Sequence, residues 1–121
     1  MTIVLPIPHK RLSPNANAPG AWRAKSEQTK IHRERAKLRT LEALGGKKAK
    51  KYTRYSLAFY FKTNRRRDDD NAAASCKAYR DGIADGLKMD DHHLSMCAAP
   101  IMSVDASNPR VEITLYTDSP K

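Results

Sequence analysis

Between residues 55 and 87 the apolar periodicity changes from two to nearly four. The change takes place across seven charged or amide side chains, Arg65-Arg66-Arg67-Asp68-Asp69-Asp70-Asn71. Upstream, Tyr55–Lys62 is rich in aromatic residues, and Leu57, Phe59 and Phe61 alternate on one face, the pattern of a half-buried strand. Downstream, Ala72, Cys76, Tyr79, Ile83 and Leu87 recur at helical spacing, which predicts a helix from about Asn71 to Leu87. Gly82 and Gly86 lower its propensity, so fraying is expected in its last turns. A chain that passes from strand to helix through such a junction belongs to the α/β class, with the charged segment at the strand end.

The remaining segments fill in this frame. Thr2–Leu5 reads as a short strand stopped by Pro6 and Pro8, followed by a loop over 9–20. Ser26 with Thr29 supplies half a capping box for a first helix, and Gly45-Gly46 ends it. Ile31, Ala36, Leu38, Leu41 and Leu44 form its partial apolar stripe, opposite Lys30, Arg33, Arg35, Lys37 and Arg39. A basic linker covers about 45–54. Ile101–Val104 and Val111–Tyr116 read as strands joined through an Asp105–Arg110 turn, as in a hairpin. The expected fold is one domain over 1–121, α/β in the α+β sense, with a small mixed sheet of about four strands packed against two main helices.

Charge is distributed unevenly. The formal net charge is +10. Residues 1–54 carry 14 Lys/Arg against 3 Asp/Glu, and residues 55–121 carry 9 against 10. The basic half has the character of a polyanion-binding surface, and a solubilising basic face is the blander alternative. Cys76 and Cys97 stand 21 residues apart, in no metal or redox spacing, so both thiols read as structural in a reduced, cytosolic chain. No apolar run approaches the length of a membrane-spanning helix.

Five aspartates fall in two groups, Asp68-Asp69-Asp70 and Asp90-Asp91. Like charges so arranged need a cationic partner, and a divalent metal with oxygen ligands is the natural one. Asp68 and Asp70 alternate at a strand end and point the same way, with Asp69 facing elsewhere. Capping by Asp70-Asn71 explains one aspartate, not five. A helix of about seventeen residues is roughly 25 Å long, so Asp90-Asp91 meets the first group only if the chain turns back along the helix flank. Lys77 returns to nearly the face of Asp70, where an ammonium could stabilise an oxyanion, although a solvated helix lysine satisfies the same spacing. His92 and His93 offer a general base, a ligand, a phosphate contact or ordinary surface polarity. His93 and Cys97 at i,i+4 are a weak hint of zinc.

The string Arg65–Asn71, then Lys77-Ala78-Tyr79-Arg80-Asp81-Gly82-Ile83, then Asp85-Gly86 and Asp90-Asp91, resembles the RusA family of Holliday junction resolvases of bacteria and their phages. Leu5-Pro6-Ile7-Pro8, Leu12-Ser13-Pro14-Asn15 and Trp22-Arg23 fit it as well. The resemblance implies a dimeric, Mg²⁺-dependent α/β endonuclease (Mn²⁺ substituting) that nicks four-way DNA junctions in recombination and repair, in the cytoplasm of a bacterium and encoded by it or by a phage. It implies Asp68, Asp70 and Asp91 as metal ligands, with Asp90 beside them, and Lys77 as the active-site lysine. In the family's best-known form that lysine follows the Asn by three residues, whereas Lys77 follows Asn71 by six and Ala74 takes the shorter spacing. Three residues turn a helix by about 300° and advance it roughly 4.5 Å, so Lys77 keeps a similar face. Arg65, Arg66 and Arg67, with Arg23, Lys25, Lys30, Arg33 and Lys37, are the expected contacts to DNA phosphates. A non-catalytic basic DNA-binding protein and a nuclease for other branched or flap DNA are the alternatives.

Overall fold

The computed structural model describes residues 1–12, 21–64 and 69–117, with side chains throughout except those of Arg11, Ala21, Asp69 and Asp91. The described elements are β1 (Thr2–Leu5), α1 (Ala21–Leu44), β2 (Tyr52–Phe61), α2 (Asp69–Ser75), α3 (Lys77–Leu87), β3 (Ser95–Met96), β4 (Ile101–Val104) and β5 (Arg110–Thr117). The architecture is mixed α/β, with one mixed sheet of five strands, one more than expected because the two-residue β3 carries no sequence signal.

β2 is the organising strand. One edge pairs antiparallel with β5, which pairs antiparallel with β1; the other edge pairs in parallel with β3 at Arg54 and Tyr55 and with β4 at Ala58–Phe61. The expected hairpin of β4 and β5 is therefore not formed, because β2 lies between them. β4 ends beside Phe61 and β5 begins beside Tyr60, so the link has only two strand spacings to cross, roughly 10 Å. Arg110 holds this link through Asp105 Oδ2 at 2.8 Å and the Asn108 carbonyl at 2.9 Å.

Leu57, Phe59 and Phe61 face the core together with Val111, Ile113 and Leu115 of β5 and Ile3 and Leu5 of β1. β2 begins at Tyr52, three residues before the start expected, so the basic linker shortens to residues 45–51. Tyr52 and Tyr55 are both buried although three residues apart. The register shift between Tyr52 and Arg54 explains this, since a bulge inserts one residue and restores the inward alternation.

The helices cover the buried face. α1 starts at Ala21 rather than after Ser26, because the good helix formers of Ala21–Lys25 let it extend N-terminally. Gly45 and Gly46, with φ of 58° and 81°, end it as expected. Its buried face takes only part of the apolar stripe, since Ala36 is buried and Leu44 packs against the core. His32, Ala36 and Thr40 point inward, whereas Ile31, Leu38 and Leu41 are exposed. The reason lies in α3. A Cβ on Gly82 would collide with the Arg33 carbonyl and lie 2.8 Å from Ala36 Cβ, and one on Gly86 would lie 2.8 Å from Thr40 Cβ. Backbone meets backbone along this seam, so only small residues of α1 fit against it, and the distance between helix axes is set by those side chains. The glycines expected to fray the helix are thus buried packing positions. Thr40 satisfies its hydroxyl by donating to the Ala36 carbonyl at 2.8 Å.

His32 is the second buried polar residue of α1. Its Nε2 accepts from the His9 backbone N–H at 3.0 Å, its Nδ1 donates to the Gln28 carbonyl at 2.8 Å, and its ring stacks on Tyr79. Tyr79 in turn donates its hydroxyl to the Pro6 carbonyl at 2.8 Å. The chain after β1 is tied to α1 and α3 through these bonds.

Gly82→Ala lowers stability by about 1–3 kcal/mol, the cost of overpacking, read as a shift in urea midpoint, and Ala43→Gly on exposed α1 surface costs less than half of that. Burial lowers the His32 pKa from 6.5, so the folded state prefers the neutral ring. The stability this contributes is complete above the unfolded value and is lost as pH falls below about 6.5 toward the depressed folded value. Urea midpoints measured across that range therefore fall for the natural chain and are flatter for His32→Gln.

Candidate active site

The predicted helix of 71–87 is two helices. α2 starts at Asp69, two residues before the expected start, so Asn71 does not cap it. It closes at Cys76, whose φ of −92° and ψ of 4° break the helix, and α3 restarts at Lys77. Cys76, Tyr79, Ile83 and Leu87 still all face the core, because the break preserves the inward direction. Burial pushes the Cys76 thiol up to about 12, so it is inert packing, whereas Cys97 is exposed and does not serve the core as expected.

The break makes Lys77 the first residue of α3, and Lys77, Asp81 and Asp85 fall on successive turns of one face. Lys77 Nζ donates to Asp81 Oδ2 at 3.2 Å. The Asp81 side chain is only 14% exposed, and its Oδ1 is buried with no hydrogen-bond partner, the Arg80 guanidinium standing 3.9 Å away. Asp85 is held from α1 by Arg33, Nε to Oδ2 at 2.6 Å and Nη2 to Oδ1 at 3.0 Å. This hydrogen-bonded guanidinium lowers the Asp85 pKa. Arg33 is thereby engaged in a helix-to-helix bridge, with its side chain half-exposed.

The chain does turn back after α3. Lys88 adopts the left-handed conformation (φ 58°, ψ 45°), with its N–H on the Asp85 carbonyl and that of Met89 on the Ala84 carbonyl. This pair of bonds is a Schellman ending with lysine in the place usually taken by glycine. Asp90 then accepts from the His92 backbone N–H at 3.0 Å and from His92 Nδ1 at 2.7 Å, capping a 3-10 turn over Asp91–His93. As a result Arg33, Lys77, Asp81, Asp85, Met89 and Asp90 line one depression of about 400 Å³. Lys77 and Asp90, thirteen residues apart, share it because α3 has only three turns.

The other expected site residues are placed less completely. Arg65, Arg66, Arg67 and Asp68 lie outside the described residues, as does the side chain of Asp91. Asp70 is exposed in the first turn of α2 and is not among the described residues lining the depression. Among the described residues no group of three or more His, Cys, Asp or Glu is placed to share a metal, His93 and Cys97 included. Arg23, Lys25 and Lys30 are exposed on α1, with Arg23 5.5 Å from the Trp22 ring, and Lys37 is half-buried beside Gly86. Asp81 and Asp85, which the sequence placed in the family-like string without a site role of their own, line the depression with Lys77. Their signal was the i, i+4, i+8 spacing from Lys77.

Comparison with known proteins adds little chemistry. No family model matches the chain. It is 40% identical over 93 residues to an uncharacterized protein of Xylella fastidiosa, a match covering 74% of this chain and 60% of that protein. The chain is thus similar to a bacterial protein of which it spans about three-fifths. No helix among the described residues is long and apolar enough to cross a membrane.

The Arg33–Asp85 bridge is half-exposed, so its energy is small. A double-mutant cycle with Arg33→Ala and Asp85→Ala is expected to give a coupling below about 1 kcal/mol, declining with added salt. A coupling of several kcal/mol would refute this picture of a solvated bridge.

Proposed function

We propose that the chain is a metal-dependent endodeoxyribonuclease of the RusA type that nicks four-way DNA junctions as a homodimer in a bacterial cell. The observation that carries this reading is the depression lined by Lys77 and Asp81 of α3 together with Asp90 from the turn after it. It supports the requirement that the Asp90-Asp91 pair return along the flank of α3.

Carboxylate oxygens are the donors a hard divalent cation such as Mg²⁺ or Mn²⁺ prefers. Asp68, Asp70 and Asp91 would hold it through carboxylate oxygens, with Asp90 adjacent. Asp81 Oδ1, buried and without a hydrogen-bond partner, is a further acceptor with unmet capacity. Such an ion, when bound, lowers the pKa of a coordinated water and stabilises charge developing on the phosphate.

The protein's own groups do the rest. Lys77 spends one of its three N–H donors on Asp81 and keeps two for a phosphate oxygen. Asp81 thereby positions the ammonium. Asp90 accepts from His92 Nδ1, so the ring steadies this carboxylate at the edge of the depression. Arg65–Arg67 and the exposed cations of α1, Arg23, Lys25 and Lys30, grip the backbone and read junction shape more than sequence. Two-fold symmetry would present two sites to a junction of matching symmetry.

The test is cleavage of a synthetic four-way junction in Mg²⁺ by the natural chain and by Asp70→Asn. The variant should lose about 10²-fold or more in rate, the scale for removing one charge-stabilising group, while binding the junction at least as tightly. Cleavage at the unmodified rate would remove Asp70 from the site. Salt-sensitive binding by the natural chain without nicking in any divalent metal would make it a DNA-binding protein instead. Equal cleavage of flaps or linear duplex would make it a nuclease of broader scope.

A further inference from the structure

A second cavity, of about 760 Å³, opens where the α1–β2 linker meets the far end of α3. Its charged lining is entirely basic among the described residues: Lys50, Lys51 and Arg54, with His93 opposite. Leu87 and Met89 supply an apolar floor. Thr53, the extra residue of the β2 bulge, also lines it and carries a buried Oγ1 with no hydrogen-bond partner. Met89 lines this cavity and the acidic depression alike, so the two adjoin and carry opposite charge.

Lys50, Lys51 and Arg54, the last also donating to the Thr117 carbonyl at 3.3 Å, bring positive charge to a concave site with no carboxylate among its described lining residues, and low-dielectric walls focus such a field inward. An apolar floor beneath a cationic rim matches a nucleotide, with its base on the floor and its phosphoryl group on the lysines. The linker residues Lys50 and Lys51 are close enough to serve because Gly45-Gly46 ends α1 and β2 begins already at Tyr52.

We propose that this pocket binds a nucleotide unit through its phosphoryl group, and that the unit belongs to the nucleic-acid strand that passes the acidic depression. The identity of the strand rests on the function proposed above; the phosphoryl chemistry of the pocket does not. The site would hold the strand one or more nucleotides away from the depression, with Met89 between.

Two measurements test this, both in EDTA so that neither depends on cleavage. In the first, junction binding is followed by fluorescence anisotropy over a range of NaCl concentrations. Lys50→Ala/Lys51→Ala is compared with Lys47→Ala/Lys48→Ala, which removes the same charge from the same linker outside the pocket lining. The pocket pair should weaken binding about tenfold or more and reduce the slope of log K against log salt by about two, one per lysine. The control pair should change both much less. Equal losses from the two pairs would mean diffuse attraction and would overturn the proposal. In the second, the His93 ring signals of the unmodified protein are followed by NMR while thymidine monophosphate or thymidine is added. Saturable movement with the monophosphate alone, absent in the pocket pair, is expected, and no movement would refute the pocket. Pocket results as expected in a protein that nicks nothing would sink only the endonuclease reading. Junction nicking with unresponsive His93 and indistinguishable lysine pairs would sink only the pocket. Monophosphate binding without junction binding would assign the pocket to a free nucleotide and overturn its place on a strand.

Discussion

Backbone-to-backbone contact between α1 and α3 is the constraint on which the rest of the molecule depends. Gly82 and Gly86 present no Cβ, so the Arg33 and Lys37 carbonyls and the small side chains of Ala36 and Thr40 come directly against α3. That closeness decides which face of α1 is buried and leaves Ile31, Leu38 and Leu41 on the outside. It also brings Arg33 within bonding distance of Asp85, one turn beyond Asp81. The wall of the acidic depression is therefore a by-product of the helix seam. A larger residue at either glycine would move the bridge as well as the core.

The second organising element is the pair of interruptions around α3. The break at Cys76 and the left-handed turn at Lys88 limit that helix to three turns, bounded on one side by the core stripe and on the other by Lys77, Asp81 and Asp85. A continuous helix from 71 to 87 would separate its ends by roughly 25 Å. The shortened one allows Asp90 to share a cavity with Lys77. Non-glycine left-handed geometry carries a local cost, here compensated by the two Schellman hydrogen bonds of Lys88 and Met89. The same turn puts Met89 in the lining of both the acidic and the basic cavity.

Much of the fold could be read from residue patterns, and the failures have identifiable causes. Leu57, Phe59 and Phe61 alternate against a single buried face, so β2 was legible from period two alone. The stripe from Cys76 to Leu87 was legible for the same kind of reason, and it survived a helix break because the break occurs at a buried position. Ile31, Leu38 and Leu41 misled because hydrophobicity is only one criterion for burial; at a tight seam, size outranks it. β4 and β5 misled because a short link between two strands looks the same in sequence whether they pair directly or flank a third. In the site, Lys77 and the Asp90-Asp91 pair were visible as charges needing a partner. Asp81 and Asp85 stood in the family-like string without a site role, since a carboxylate on a helix is ordinarily solvated and only burial of Asp81 Oδ1 sets it apart.

By itself, the sequence determined the inward faces of β2 and α3, the end of α1 at its two glycines and the separation of a basic half from one that carries the acidic clusters. Those properties follow from periodicity, backbone freedom and charge, all of which are local. The tertiary structure decided that α1 buries His32 and Thr40 in place of Ile31, Leu38 and Leu41, that β2 separates β4 from β5, and that Asp90 lies in one depression with Lys77. Each of these is a choice among locally equivalent arrangements. It is settled by how closely two distant segments approach, which no single segment specifies.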